Sequence, residues 1–334
     1  MPDAVAARAE RLYAGAIVWD DHAGFAPDPA ADLAKLAIWR QAGVNYLSIN
    51  VGFDVMRWDD TIKVLAAFRR WIAAHPDEYL LVANVEQIRQ AKRDGRLAVT
   101  FDIEGMNALD GAVDMVSLYY DLGVRQMLFA YNRNNLAGGG CHDADVGLTP
   151  FGRAVIAEMN RVGMLVDCSH SSYRTTMEAM EVSTAPVIFS HSNPRGRWDH
   201  GRNIRDEQIK ACAAGGGVIG INGVGIFLGA NDTRTELLAN HIDYVADLVG
   251  AHHIGIGLDY AFEVMADGLD ALLAAHPDYW PAGNLYDTPR IGIAAPAQLR
   301  ELTDILLRRG YAEDDLRGIL GGNFLRVAGE VWKC

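Results

Sequence analysis

A short apolar stretch followed by a segment long enough for a helix occurs eight times along this chain of 334 residues. Strands that are buried on both faces and alternate with helices are typical of a parallel sheet. Eight such units predict a closed (β/α)₈ TIM-like barrel, with an open doubly wound sheet as the alternative. The candidate strands are, in order, GAIVWDDH, VNYLSINVGF, RLAVTFDIEG, VRQMLFAYN, GMLVDCSH, PVIFSHS, GGVIGING and HIGIGLDY.

The segments between these strands support the same fold. After one of them, Thr149 is a suitable N-cap, Pro150 suits the first position of a helix, and Gly163 suits its end. We expect one domain over residues 1–334. The segment 262–291 is rich in aromatic residues and prolines, and it is predicted to be a lid or a subunit contact.

Composition limits the partners of the chain. Its formal net charge of −13 argues against nucleic acid and against an anionic membrane surface. The sequence contains no run of about 18 apolar residues, so it predicts no membrane-spanning helix. The first residues carry charges where a secretory signal needs an apolar core, so we expect a cytoplasmic protein with reduced cysteines.

The strand ends are where a barrel of this kind carries its chemistry. Catalytic groups lie at the C-terminal ends of the strands, and here five of the eight strands end in residues able to bind a metal. These residues are Asp20 and His22, Asp102 and Glu104, Asp167 and His170, His191, and Asp259. A single one of them could be an ordinary polar loop start. Because barrel closure brings all five ends to one opening, the set predicts a metal site.

Imidazole and carboxylate groups are the preferred ligands of Zn²⁺ and related divalent ions. The predicted ligands are His22, Glu104, His170 and His191, holding one or two ions per chain. A carboxylate such as Glu104 can give one oxygen to each of two ions. A bound ion lowers the pKa of its water to about 7, which favours a hydrolytic reaction at neutral pH.

Several longer motifs occur in a characteristic order along the chain. They are GLTPFGRAVIAEMNRVGMLVDCSHSS, APVIFSHSNPRG, RNIRDEQI, IGIGLDY and ILGGNFLRV. Together they resemble the membrane (renal) dipeptidase family of metallopeptidases, peptidase family M19. The resemblance implies a TIM-like barrel and a two-zinc site that hydrolyses dipeptides, often with tolerance for a D-residue at the C-terminal side. Some members of the family pair as dimers, so a homodimer is one expectation besides a dipeptide-like small-molecule substrate.

The resemblance also implies roles for individual residues. By position, His22 matches the histidine of the family's first-strand His-x-Asp pair, Glu104 the bridging glutamate, and His170 and His191 the second-metal histidines. Arg202 matches the arginine that receives the substrate carboxylate, a role that suits the two parallel hydrogen bonds of a guanidinium. Asp259 matches the aspartate near the bridging water and the substrate amine, where it can handle protons.

The first departure from the family pattern concerns the metal ligands. The His-x-Asp pair reads His22-Ala23-Gly24, so one carboxylate is missing. Asp20, which lies on the same face as His22 in a regular strand, is the nearest replacement. Three states are open: two ions with Asp20 substituting, one tight ion on Glu104, His170 and His191, or a weakened site. We expect a tight second-metal site and a weaker first one.

The second departure lies at the end of the fourth candidate strand, in FAYNRNN. Tyr131 stands where the family has a histidine that polarises the substrate carbonyl. A phenol can donate one hydrogen bond to an oxyanion, so Tyr131 is predicted to bind substrate and assist catalysis. His142, in the loop that follows, is the alternative donor.

The leading functional hypothesis is a zinc-dependent hydrolase of small amides, acting on a dipeptide or an N-acyl amino acid. One alternative keeps the barrel but changes the reaction to a deaminase or lactonase type, because barrels host many chemistries. Another is a metal-binding homologue without activity, which the incomplete first-strand pair suggests. Metal content and a substrate panel distinguish the three.

Overall fold

A computed structural model describes residues 3–24, 28–261 and 274–333 of the chain. The strands are β1 (Trp19–Ala23), β2 (Tyr46–Phe53), β3 (Tyr79–Leu81), β4 (Leu97–Glu104), β5 (Val124–Leu128), β6 (Leu165–Asp167), β7 (Val187–Phe189), β8 (Val218–Ile221) and β9 (Ile254–Ile256). The α-helices are α1 (Ala4–Gly15), α2 (Ala37–Ala42), α3 (Trp58–Ala74), α4 (Val85–Arg93), α5 (Met115–Asp121), α6 (Pro150–Val162), α7 (Tyr173–Val182), α8 (Asp206–Ala214), α9 (Gly225–Leu228), α10 (Thr235–Val249), α11 (Gln298–Arg308), α12 (Glu313–Arg317) and α13 (Asn323–Val331). Short 3₁₀ turns cover Leu33–Leu36, Met106–Leu109 and Ala251–His253, and a π turn covers Gly318–Gly322.

The strands form a parallel barrel. They pair in the order β1-β2-β4-β5-β6-β7-β8-β9, and the short strand β3 also pairs with β4. β9 returns to β1, where the backbone N–H of Asp259 donates to the carbonyl oxygen of His22 over 3.0 Å. The predicted (β/α)₈ barrel is confirmed, and each of the eight candidate stretches covers one of its strands, except that β1 runs one residue further, to Ala23. The extra strand β3 was not predicted, and it lies outside the ring of eight strands, paired with β4.

The helices lie between the strands, as a parallel sheet requires. The predicted helix after Thr149 is confirmed as α6: the Thr149 hydroxyl accepts a hydrogen bond from the N–H of Gly152, and Gly163 ends the helix with φ at 93°. This positive φ is readily adopted only by glycine. Within the described ranges, no helix is both long and apolar enough to cross a membrane.

Aromatic side chains close the N-terminal end of the barrel. The rings of Trp19 in β1 and Tyr46 in β2 stack with centroids 3.6 Å apart, and Phe324 of α13 lies 5.9 Å from Trp19. All three are buried. A Cβ atom on Gly255 would overlap the Phe324 ring, so β9 needs glycine where the helix packs against it. The floor is aromatic but includes a buried polar group, because the Trp19 indole N–H donates to the carboxylate of Asp21 over 2.7 Å.

Candidate metal centre

Three histidines and one glutamate converge at the C-terminal end of the barrel. Glu104 Oε1 lies 3.2 Å from His170 Nε2, 3.3 Å from His191 Nε2 and 3.6 Å from His22 Nε2. The Nε2 atoms of His170 and His191 are 3.0 Å apart. One ligand atom each from His22, Glu104 and His191 lie within 4.8 Å of one another. The structure therefore brings the four predicted ligands together.

The distances within this cluster fit a bound divalent ion. Two nitrogens that bind one tetrahedral zinc ion at about 2.0–2.1 Å are about 3.3 Å apart. The three separations among His170, His191 and Glu104 run from 3.0 to 3.3 Å. Burial lowers the pKa of both histidines well below the usual value, so each is neutral and can offer a lone pair. The donor set thus suits a metal ion.

The charge around His22 points the same way. Burial opposes protonation of His22, yet the nearby carboxylates of Asp102 and Glu104 raise its pKa well above the usual value. Burial raises the pKa of Glu104 to about 8. A third carboxylate is also near, because Asp259 Oδ1 lies 3.6 Å from His22 Nε2. So many buried carboxylates are costly without a cation, and a divalent ion would compensate them.

Each histidine is also held through its other ring nitrogen. The pairs are His22 Nδ1 with Asp102 Oδ1 at 3.2 Å, His170 Nδ1 with Asn132 Oδ1 at 2.7 Å, and His191 Nδ1 with Ser190 Oγ at 2.7 Å, Ser190 in turn donating to Asp167. Such partners fix the tautomer and orient the ring of a metal ligand. The sequence offered a signal for Asp102, because side chains alternate along β4 and residues 102 and 104 therefore lie on the same face of the strand. Asn132 and Ser190 had no such signal and were missed.

Asp20 does not join this cluster. Its Oδ2 accepts a hydrogen bond from the Trp39 indole over 2.8 Å, and its Oδ1 accepts one from the N–H of Leu258 over 2.8 Å. The prediction placed Asp20 and His22 on one face of a regular strand. The pairing of β1 with β2 shifts register between Asp20 and Ala23, which breaks the alternation. Asp20 therefore faces Trp39 of α2, while His22 faces Asp102 and Glu104.

Arg202 lies beside the cluster and is only 2% exposed. Its Nη1 donates to Ser192 Oγ over 2.9 Å, and its Nη2 donates to the carbonyl oxygen of His191 over 2.8 Å. Its Nε has no hydrogen-bond partner, and no carboxylate of the described residues forms an ion pair with it. A buried guanidinium without a counter-ion is costly, so this side chain is suited to receive an anionic group.

The sequence profile of the membrane dipeptidase family, peptidase family M19, matches residues 30–275. The chain belongs to this family.

Individual relatives agree with this assignment. The chain is 31% identical over 289 residues to the dipeptidase aclJ of Aspergillus oryzae, a match that covers 84% of this chain and 63% of that protein. The chain thus spans less than two thirds of this curated relative. An amidohydrolase from Pseudomonas aeruginosa is 30% identical, with a TM-score of 0.87 over 97% of this chain and 99% of that one. A metallopeptidase from Rhodobacter sphaeroides, solved with a phosphinate mimic of the dipeptide L-Ala-D-Ala, shares the fold at 20% identity, with a TM-score of 0.78 over 95% of this chain and 100% of that one.

Tyr131 departs from the membrane dipeptidase pattern, and the structure places it against a predicted metal ligand. Its ring stacks on His170 with centroids 4.3 Å apart. Phe53 and Trp280 pack edge-on against it at 5.4 and 5.8 Å. Burial, followed by the negative charge of Glu104, raises the pKa of Tyr131 well above 10. The phenol therefore keeps its proton and can donate it in a hydrogen bond.

His142, the alternative donor, is engaged elsewhere. Its Nε2 lies 2.8 Å from the Tyr286 hydroxyl, and burial lowers its pKa to about 3.

Tyr286 and Trp280 both belong to the segment 262–291, which the sequence predicts to be an insertion. Residues 262–273 lie outside the described residues, whereas 274–291 contact the side chains around the site. The lid or subunit-contact role of this segment stays a prediction.

Asp259, Asn132 and His170 share an uncommon backbone conformation. Their φ angles are 57°, 60° and 62°, in the left-handed region that favours glycine. Asn and Asp tolerate it better than other residues, and strained conformations of this kind cluster at functional sites. Asp259 is also fixed through its side chain, because Asn222 Nδ2 donates to its Oδ2 over 3.1 Å.

Proposed function

We propose that this protein is a zinc-dependent dipeptidase that hydrolyses the amide bond of dipeptides or of N-acyl amino acids. Membership of the membrane dipeptidase family and the His22, Glu104, His170 and His191 cluster support metal-dependent hydrolysis. The observation that carries the substrate class is Arg202, a buried guanidinium with no carboxylate partner among the described residues. Its position next to His191 suits the terminal carboxylate of a small substrate.

The roles of the chain's own groups follow from this substrate. When bound, a divalent ion activates water and polarises the scissile carbonyl. Arg202 holds the substrate carboxylate and thereby fixes the distance of the amide from the cluster. The phenol of Tyr131 donates a hydrogen bond to the carbonyl oxygen as negative charge develops on it. Asp259 accepts a proton from the attacking water and passes it to the leaving amine.

A substrate panel on zinc-reconstituted protein tests the proposal. The panel contains L,L- and L,D-dipeptides, N-acyl amino acids, simple lactones and dipeptide amides that lack the terminal carboxylate. We expect hydrolysis of dipeptides or N-acyl amino acids, and a much lower kcat/KM for the matched dipeptide amides. Activity confined to lactones would contradict the proposal and favour the related hydrolase class. A protein that binds no zinc and hydrolyses nothing would contradict it as well.

A further inference from the structure

Gly24 follows β1 at the position where the family pattern has an aspartate. Its φ lies outside the left-handed region, so the backbone itself does not require glycine. The surrounding space does require it. A Cβ atom on residue 24 would lie 2.7 Å from Asp259 Oδ1, closer than Cβ atoms approach other atoms in proteins. The Asp259 carboxylate thus occupies the space that a side chain at position 24 would need.

Asp259 is fixed in this place by groups from two neighbouring strands. Its backbone N–H donates to the carbonyl oxygen of His22 over 3.0 Å, where the barrel closes. Its Oδ2 accepts from Asn222 Nδ2 over 3.1 Å. Among the described residues, its Oδ1 accepts no hydrogen bond from within the chain and faces His22 Nε2 at 3.6 Å. One carboxylate oxygen is therefore held, and the other is directed at the cluster.

We propose that Asp259 replaces the missing first-strand carboxylate and binds the first metal ion through Oδ1, together with His22 and the shared Glu104. This inference rests on the proposed metal-dependent function. His22 Nε2 lies 3.6 Å from both Asp259 Oδ1 and Glu104 Oε1. These separations are wider than the 3.0 to 3.3 Å at His170 and His191, so the first site is the weaker of two.

The alternative replacement, Asp20, does not point at the cluster, because its two carboxylate oxygens face the indole N–H of Trp39 and the backbone N–H of Leu258. The first ion thereby keeps a carboxylate ligand from Asp259, while the site as a whole has one carboxylate fewer than the family pattern. A carboxylate contributed from the residues after β9 takes the place of one from the end of β1, and the two positions are adjacent because β9 closes on β1. Asp259 Oδ2 keeps a second lone pair beside the bond from Asn222, so proton transfer remains open to it.

Metal titration of the apoprotein tests this assignment without relying on activity. Calorimetry with Zn²⁺, checked by elemental analysis, should give two equivalents per wild-type chain, one tight and one weaker. Removing a residue that hydrogen-bonds to a metal ligand typically lowers metal affinity by about 10–100-fold. Removing a direct ligand should therefore lower the affinity by about 100-fold or more. We therefore expect Asp259→Ala to bind one equivalent. Asp259→Asn, which keeps the shape of the side chain, tests the same point if the alanine variant folds poorly.

Asp20→Asn is the matched control, since it removes a buried carboxylate of β1 that lies outside the cluster, and it should retain two equivalents. Gly24→Ala should lose the weaker equivalent because its Cβ displaces Asp259. The double variant Gly24→Asp with Asp259→Ala should regain that equivalent.

Two equivalents of wild-type affinity in Asp259→Ala would overturn the assignment, as would loss of the weaker ion in Asp20→Asn instead. A wild-type chain that binds a single ion would also overturn it. A wild-type chain that binds no ion would instead refute the proposed function.

Discussion

The two ends of the barrel are equally buried but differ in chemistry, since aromatic rings dominate one end and imidazoles with carboxylates the other. At the N-terminal end, Trp19 and Phe324 are 0% and 1% exposed, and at the C-terminal end His22 and His191 are 1% and 0% exposed. Burying aromatic rings stabilises the fold directly. Burying imidazoles and carboxylates costs stability unless hydrogen bonds or a cation compensate them. Burial alone therefore does not identify a functional site, whereas burial of ionisable groups that point at a common centre does.

The largest effect should come from removing a ligand at the C-terminal end. His191→Ala deletes one of the groups that meet at Glu104 Oε1, so we expect loss of the tight ion. Metal assistance is worth several kcal/mol in the transition state, which corresponds to a fall in kcat/KM of about 10³-fold or more. Elemental analysis and dipeptide hydrolysis measure the two effects. A His191→Ala variant with full activity would disprove the site.

The opposite end should respond in stability instead. Phe324→Ala removes a ring that packs against Trp19 and β9, and such substitutions cost about 3–5 kcal/mol. We expect urea unfolding to show this loss, while the folded variant keeps the wild-type metal content and kcat. If metal content fell in proportion to stability, the two ends would not be independent.

The sequence allowed prediction of the barrel and of which histidines would meet. The apolar strands set the fold, and the C-terminal ends of parallel strands lie on one rim whatever the loops do. The orientation of Asp20 could not be predicted, because it depends on a register shift between β1 and β2. The bond between Asn132 and His170 joins two loops with left-handed residues, and no periodic pattern reports such a contact.

Arg202 should affect substrate binding more than metal binding. Hydrogen bonds to charged groups contribute about 1.5–3 kcal/mol, so Arg202→Met should lower kcat/KM for dipeptides by about 10–100-fold. The loss should appear mainly as a higher KM. Dipeptide amides serve as the control, because without a carboxylate they gain nothing from Arg202. Equal losses for acids and amides would show that Arg202 acts through the fold.

Asn132 should tune the metal without touching it. Asn132→Ala leaves His170 Nδ1 without its acceptor at 2.7 Å, and we expect zinc affinity to fall by about 10–100-fold. Competition with a chelator measures this change. Asn132→Asp restores an acceptor and should recover most of the affinity. Unchanged affinity in the alanine variant would mean that His170 is oriented by packing alone, for example against Tyr131.

The smallest expected effect is a change of stability with pH. It distinguishes loss of the metal ion from unfolding of the chain when the protein is acidified. His241 in α10 lies outside the cluster, where its Nε2 donates to the carbonyl oxygen of Leu228 over 2.9 Å. Burial lowers its pKa to about 4, whereas the unfolded chain takes up this proton near pH 6.5. Its contribution to stability is therefore complete above pH 6.5 and is lost as the pH falls toward 4.

Between pH 7 and pH 5 this histidine should lower the free energy of unfolding by about 2 kcal/mol. His241→Gln keeps a donor for Leu228 and removes the titration, so the variant should lose less stability than the wild type over that interval. Urea unfolding of both proteins in a chelator excludes any contribution from metal release. Because the histidines of the cluster titrate in both proteins, only the difference between them belongs to His241. The same pH dependence in both would mean that acid destabilises this fold through its metal end alone.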